Sequence, residues 1–366
     1  MKWHPTGVGK TITRTIEAMA DAAPADEFVI YANREFPDVL DDKPNCRVVR
    51  TRLIALSRGF RILYERFLMP HTLRRDGLDL FFEPGYVFPG TPPVPMVLGI
   101  FDVHALKHPK FVKHETAVYY KWAMPRAVER AELVVAPTNA VAADIEQFLD
   151  VPRDKIRTVP LACDERFRHP PAEGADAVAR YGIGSPYVLF VGNIEPNKNL
   201  VRLVQAFFAA KLHAGLPHKL VIAGKRRHRA DLLVKTIHQL GCAEHVVFPG
   251  YVDDDDLPAL YAGADAFVYP SQAEGFGIPP LEAMACGTPV ITSDDAALVE
   301  VTGDGALRFP ADDIAALREA IENVLTDKAL ADGLVARGRD VAARYSWAET
   351  GRKTLDVLRE AAGGMK

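Results

Sequence analysis

Tyr269-Pro-Ser-Gln-Ala-Glu-Gly-Phe-Gly-Ile-Pro-Pro-Leu-Glu-Ala-Met-Ala-Cys-Gly-Thr-Pro-Val-Ile291 decides how this chain is read. It sets Glu274 and Glu282 eight positions apart, on either side of a Gly-Phe-Gly turn and a Pro-Pro pair. Pro279 suits the first turn of a helix, where its missing N–H costs nothing. Leu281, Ala283, Met284 and Ala285 are good helix formers, and Gly287 with Pro289 ends the run. Glu274 is therefore expected on a loop just before a helix N-terminus, and Glu282 inside that helix's first turns. Backbone N–H groups of Gly275, Phe276, Gly277 and Ile278 are then placed to receive an anion. Exposed amides beside two carboxylates suit a ligand rich in both phosphate and hydroxyl groups.

The rest of the chain supplies a frame for that segment. With 366 residues it exceeds the size at which one core stops growing, so two domains are expected. Short apolar runs alternate with helical patterns in both halves, the rhythm of doubly wound parallel sheets. Strands are expected at 28–32, 46–49, 80–82, 95–100, 133–136 and 156–160. A second set is expected at 187–191, 219–223, 246–248, 266–269 and 289–292, with a final amphipathic helix from Trp347 to Ala362. Thr138 or Asn139 offers a cap for the helix holding Asp144 and Phe148. The proline-containing polar stretch near residues 165–185 reads as the hinge. A net charge of −4 makes no electrostatic case for nucleic acid. Four scattered cysteines without a CxxC pair read as reduced cytosolic thiols, with neither disulfide frame nor zinc site. No apolar run is long enough to span a bilayer.

The Glu274–Glu282 segment resembles the E-x7-E signature of the retaining glycosyltransferases of family 4. The resemblance implies the GT-B fold, an α/β architecture of two Rossmann-like doubly wound domains facing across a cleft. It implies an acceptor-binding domain over residues 1–170, a nucleotide-sugar-binding domain over 171–345, and a helix at 346–366 crossing back to the first. Family members begin with a short apolar strand ahead of a Pro-Thr-Gly-type loop. Here Pro5-Thr-Gly-Val-Gly9 follows MKWH directly, so that strand is expected to be missing, with a truncated start preferred over a genuine variant.

Other segments carry the resemblance further. Gly192-Asn-Ile-Glu-Pro-Asn-Lys198 resembles the family loop whose basic residues grip the donor diphosphate, with Lys198 on the lysine position. Asn193 and Asn197 stand where an arginine is common, and Lys225, Arg226 or Arg227 are candidates to compensate. Phe248-Pro-Gly250-Tyr251 follows the strand at the nucleobase pocket. In the first half, Phe101-Asp102 stands where relatives read His-Asp, so Asp102 is a candidate for orienting the acceptor, and His104 for the lost histidine. Asp102 capping a helix is the plainer alternative. Gly9 is expected to present amides near the donor diphosphate or the acceptor. Gly7-Val-Gly-Lys-Thr11 is no P-loop, because His4 stands where the Walker pattern needs glycine. The run Asp253–Asp256 reads as a solvated helix start, and no metal is expected.

The function implied is transfer of a hexosyl group, with retention, from a nucleotide-sugar donor to a glycan or lipid-linked acceptor. Glu274 would hold sugar hydroxyls, Glu282 the ribose, and Lys198 the departing diphosphate. No cofactor is implied. Loops of this NIEPNKN type resemble those of mannosyltransferases in surface polysaccharide biosynthesis, which puts GDP-mannose ahead of UDP-sugars. Arginines between residues 47 and 75, interleaved with Leu56, Phe60, Leu63 and Phe67, suggest a face for an anionic membrane surface. The contrasting reading is a nonenzymatic nucleotide-sugar-binding or scaffold protein, favoured only by the missing strand, histidine and arginine.

Overall fold

The computed structural model describes residues 7–33, 36, 38–50, 58–171, 178–227 and 230–363. Pro5 and Thr6, Arg52 and Leu56, and residues 172–177 of the expected hinge lie outside them. The chain divides into two compact units, Met1–Leu161 with Ser346–Lys366, and Ala162–Tyr345.

In the first unit, β1 (Phe28–Ala32) pairs in parallel with β2 (Cys46–Arg50). A separate parallel sheet runs in the order β3 (Phe81–Glu83), β4 (Met96–Gly99), β5 (Leu133–Ala136), β6 (Ile156–Thr158). The central strands β4 and β5 are buried at every position, as expected where helices cover both faces. Among the described residues no strand joins β1 to β3. Phe28 and Phe82 nevertheless pack on one small core of Met19, Ala23 and Leu355. The helix Trp347–Gly363 supplies Val357 and Ala361 to a second cluster with Val97, Leu133 and Val135. Thr138 caps the helix Asn139–Leu149, accepting from the Val141 N–H.

The basic stretch forms a continuous helical run, Arg58–Leu63, a π turn Tyr64–Leu68, then Met69–Arg75. Met69 and Leu73 enter the core, whereas Phe60, Leu63, Phe67 and Leu68 are all more than half exposed. The apolar stripe of this run is thus turned outward, beside Arg61, Arg66, Arg74 and Arg75.

The second unit holds one six-stranded parallel sheet: β7 (Tyr187–Val191), β8 (Lys219–Ala223), β9 (Val246–Gly250), β10 (Ala266–Tyr269), β11 (Val290–Ser293) and β12 (Ala306–Phe309). Their spatial order is β12-β11-β10-β7-β8-β9. The direction of winding reverses between β7 and β10, and crevices at such points, beyond the carboxyl ends of the strands, are where doubly wound sheets bind ligands. The sequence expectation omitted β12, a partly exposed strand that lacks the apolar run of its neighbours.

Candidate functional site

The loops leaving β7 and β10 meet at that reversal. After β7 the chain makes a single turn, Pro196–Lys198, and Asn199 follows in the left-handed conformation. The Gln272 N–H donates to the Asn197 carbonyl at 2.8 Å, tying the two loops together. Lys198 Nζ then reaches Glu274 Oε1 at 2.5 Å and the Tyr269 hydroxyl at 3.0 Å. It also lies 5.1 Å over the Tyr269 ring, which runs nearly parallel to the rings of Phe190 and Phe267. Burial works against the lysine's charge, but the Glu274 carboxylate and Tyr269 outweigh it and raise its pKa. The ammonium is therefore held charged and fixed, with little of either partner open to solvent.

Beyond Glu274 the backbone turns through Gly277 at φ 93°, a conformation glycine adopts without penalty. A Cβ there would also stand 2.5 Å from Leu298 Cδ2. The helix Ile278–Ala285 starts immediately, with proline in its first positions. Glu274 sits just before this helix and Glu282 within it. The Phe276 ring is buried edge-on against Tyr345 at 5.7 Å, so at this position the backbone amide is what remains for a ligand. Glu282 Oε2 accepts from the buried Tyr261 hydroxyl at 2.7 Å.

On the other side of β7 the strand exits are equally close. The Gly192 N–H donates to Ala223 O and the Gly224 N–H to Gly250 O. A Cβ on Gly224 would fall 1.9 Å from Gly192 O, so only glycine permits this approach. Asn193 follows directly in the β7 exit. Lys225 Nζ lies 4.7 Å over the Tyr251 ring, and Arg226 5.2 Å over Phe248. The acidic run leads into the helix Leu257–Ala262 with Asp253 and Asp255 exposed, as expected of a solvated helix start, and its side chains also find partners. Asp254 accepts from the Tyr251 hydroxyl, Asp256 from Arg180 and Tyr181, and Asp255 pairs with Arg166. Among the described residues no three His, Cys, Asp or Glu side chains are arranged to hold a metal.

The remaining candidates lie in the first unit. Gly9 falls in the first turn of the helix Gly7–Ala22, its carbonyl accepting from Thr13 Oγ1. Asp102 follows β4. Its Oδ2 accepts from Tyr86 Oη at 2.8 Å and its Oδ1 from the His104 N–H at 2.9 Å, opening the short helix His104–Lys107. The His104 ring nitrogen Nδ1 is 3.5 Å from the same Oδ1. Tyr86 holds a φ of 74°, strained for a residue with a bulky side chain.

Residues 5–167 match the family model Glycosyltransferase Family 4, and residues 179–341 match Glycosyl transferases group 1. The chain belongs to the glycosyltransferases. This glycosyltransferase is 28% identical over 371 residues to O-antigen chain mannosyltransferase B of Escherichia coli, covering 98% of this chain and 97% of that one. Among solved structures it is similar to sucrose-phosphate synthase from Thermosynechococcus elongatus, at 23% identity and a TM-score of 0.77, covering 96% and 93% of the two chains. It is also similar to Anabaena HepE, solved with UDP and glucose, at 18% identity and a TM-score of 0.74, covering 98% and 97%. These structural likenesses establish the GT-B fold. Among the described residues no helix of the glycosyltransferase is long and apolar enough to cross a membrane.

Two site residues escaped the sequence reading, Tyr261 and Tyr269. Both lie in apolar stretches, where an aromatic residue reads as core, and both rings are indeed buried. Only the position of the hydroxyl, set by the neighbouring helix and loop, distinguishes them from packing residues.

Proposed function

We propose that this protein is a retaining hexosyltransferase that binds a nucleotide sugar on its second unit and a glycan or lipid-linked acceptor on its first. The observation that carries the reading is the Lys198–Tyr269–Glu274 constellation at the reversal point of a six-stranded parallel sheet. A buried cation beside a carboxylate matches a ligand that presents phosphate to one and hydroxyls to the other. Glu274 takes hydroxyls of the donor sugar, and the amides from Gly275 to Ile278 face its phosphate. Glu282 takes the ribose hydroxyls, a carboxylate being a good acceptor of two O–H groups. Gly250 and Tyr251 border the nucleobase, and Asn193 and Lys225 the diphosphate.

In the reaction, the bond from the anomeric carbon to the diphosphate oxygen breaks and the bond to the acceptor oxygen forms on the same face. The acceptor proton passes to the departing diphosphate. Lys198 and the helix N-terminus stabilise the charge that builds there, the kind of contribution that dominates such catalysis. Asp102, with His104 beside it, orients the acceptor, and Gly9 adds first-turn amides. The mannosyltransferase relative favours GDP-mannose as donor, and surface polysaccharide as the product. HepE with its UDP and glucose keeps UDP-sugars next in line. The outward Phe60, Leu63, Phe67 and Leu68 with their arginines dock the first unit on anionic lipid, close to a lipid-linked acceptor.

Purified protein incubated with GDP-mannose, UDP-glucose or UDP-N-acetylglucosamine and a lipid-linked glycan tests the assignment. Turnover of one donor is expected, with the donor's anomeric configuration kept in the product by NMR. Glu274→Ala should abolish turnover while circular dichroism stays unchanged. Full activity of that variant would end the assignment.

A further inference from the structure

Tyr261 sits in the helix Leu257–Ala262 with no exposed surface, yet its ring carries a hydroxyl that needs a partner. The partner is Glu282, whose Oε2 accepts at 2.7 Å, the length of a strong O–H···carboxylate bond. The ring has no room to turn. Phe167 meets it edge-on at 5.8 Å and Phe267 at 5.3 Å, and the Tyr261 carbonyl accepts from Thr288 Oγ1 at 2.7 Å. Burial, then the charge of Glu282 and its hydrogen bond, hold the phenol pKa well above its ordinary value, so the hydroxyl keeps its proton. Burial and the same charge raise the thiols of Cys163 and Cys286, Cys163 to about 12. One oxygen of the carboxylate is thus gripped by an immobile phenol.

We propose that Tyr261 is a positioning residue for nucleotide recognition: it fixes the plane of the Glu282 carboxylate so that this group accepts ribose hydroxyls, which makes Tyr261 a determinant of ribose over deoxyribose. The inference rests on the ribose assignment of Glu282 made above. A glutamate that loses the phenol loses one of the contacts that order it, and more of that ordering must be supplied when the ligand arrives, which lowers affinity. That loss falls only on ligands that use the carboxylate. A 2′-deoxy ligand, which uses it less, is spared.

Isothermal titration of wild type, Tyr261→Phe and Glu282→Gln with GDP, UDP and their 2′-deoxy counterparts tests this. Wild type is expected to prefer the ribonucleotide. Tyr261→Phe should weaken ribonucleotide binding about tenfold, the scale of one charged hydrogen bond, and change 2′-deoxynucleotide binding by less than about twofold. Equal losses for both ligands would show a packing role only and overturn the proposal, as would an unchanged preference. Glu282→Gln separates the two layers. If it keeps the wild-type preference, or if wild type has none, the ribose assignment fails and takes the proposal with it. If Glu282→Gln loses the preference while Tyr261→Phe keeps it, the proposal alone fails. Should Tyr261→Phe not fold, 3-fluorotyrosine at position 261 keeps the ring and alters only the hydroxyl's acidity. A changed ribose preference then supports the proposal, and an unchanged one overturns it.

Discussion

At the carboxyl end of β10, Glu274 has an ammonium 2.5 Å away. At the carboxyl end of β3, Glu83 has a backbone amide, Gly85 N–H at 2.7 Å, and among the described residues no cation within ion-pair distance. Burial, reinforced by the negative charge of Glu65, pushes the Glu83 pKa up to about 8. The same residue type beyond two parallel strands thus meets a fixed ammonium in one unit, and in the other a burial that favours its protonated form. A recessed carboxylate stays charged where the fold provides a counter-charge and takes up a proton where it does not. Under the proposed function the pair divides its work, the ammonium meeting the phosphate and the carboxylate the hydroxyls.

The largest effect expected from this contrast is at Lys198. Lys198→Ala should lower transfer about a thousandfold, comparable to losing a main transition-state donor. It should also cost about 3 kcal/mol of stability in thermal denaturation, because Glu274 is left buried without its counter-charge. Adding Glu274→Ala should restore most of the stability and none of the turnover. A double variant as unstable as the single one would break the pairing argument.

Next comes the surface. The first unit groups four exposed apolar side chains with arginines, whereas in the second Leu212 and Leu232 project from separate helices. Phe60→Ser with Phe67→Ser should weaken flotation with anionic vesicles by about tenfold per residue, from the apolar area withdrawn. Leu212→Ser should leave flotation unchanged, and so should transfer to a soluble acceptor in all three.

Gly224→Ala sharpens the contrast between the sheets themselves. The Cβ would collide with Gly192 O, and about 2 kcal/mol of stability should be lost from the second unit in urea denaturation. The last effect is a pH slope. Glu83 binds its proton more tightly folded than unfolded, so its contribution is full below its ordinary pKa, near 4.5, and is lost as pH rises through about 8. Melting temperature should therefore fall between pH 5 and pH 8.5, and Glu83→Gln should flatten that fall.

Much of the site was legible from residue order because its parts are local. The loop position of Glu274, the helical position of Glu282 and the proline start of the helix between them follow from short-range propensities. The strand Tyr187–Val191 could be bounded to the residue, since an apolar run between Pro186 and Gly192 has few alternatives. The outward turn of Phe60 and Phe67 was raised by the basic amphipathic pattern but not decided by it. Helical spacing defines a stripe, but whether the stripe faces a core or solvent depends on what the rest of the chain packs against it. The ion pairs of Asp255 and Asp256 were missed for the same reason, their partners lying at Arg166 and Arg180.

By itself, then, the order of residues determined the two-unit α/β architecture, the loop that carries Glu274 and the class of ligand that loop suits. Turn, cap and period are properties of neighbours along the chain. Tertiary structure decided which buried carboxyl meets a cation, which tyrosine is more than packing, and where Lys198 points. Those depend on charges and hydroxyls brought within about 3 Å from distant positions, where a shift of a single ångström breaks a hydrogen bond.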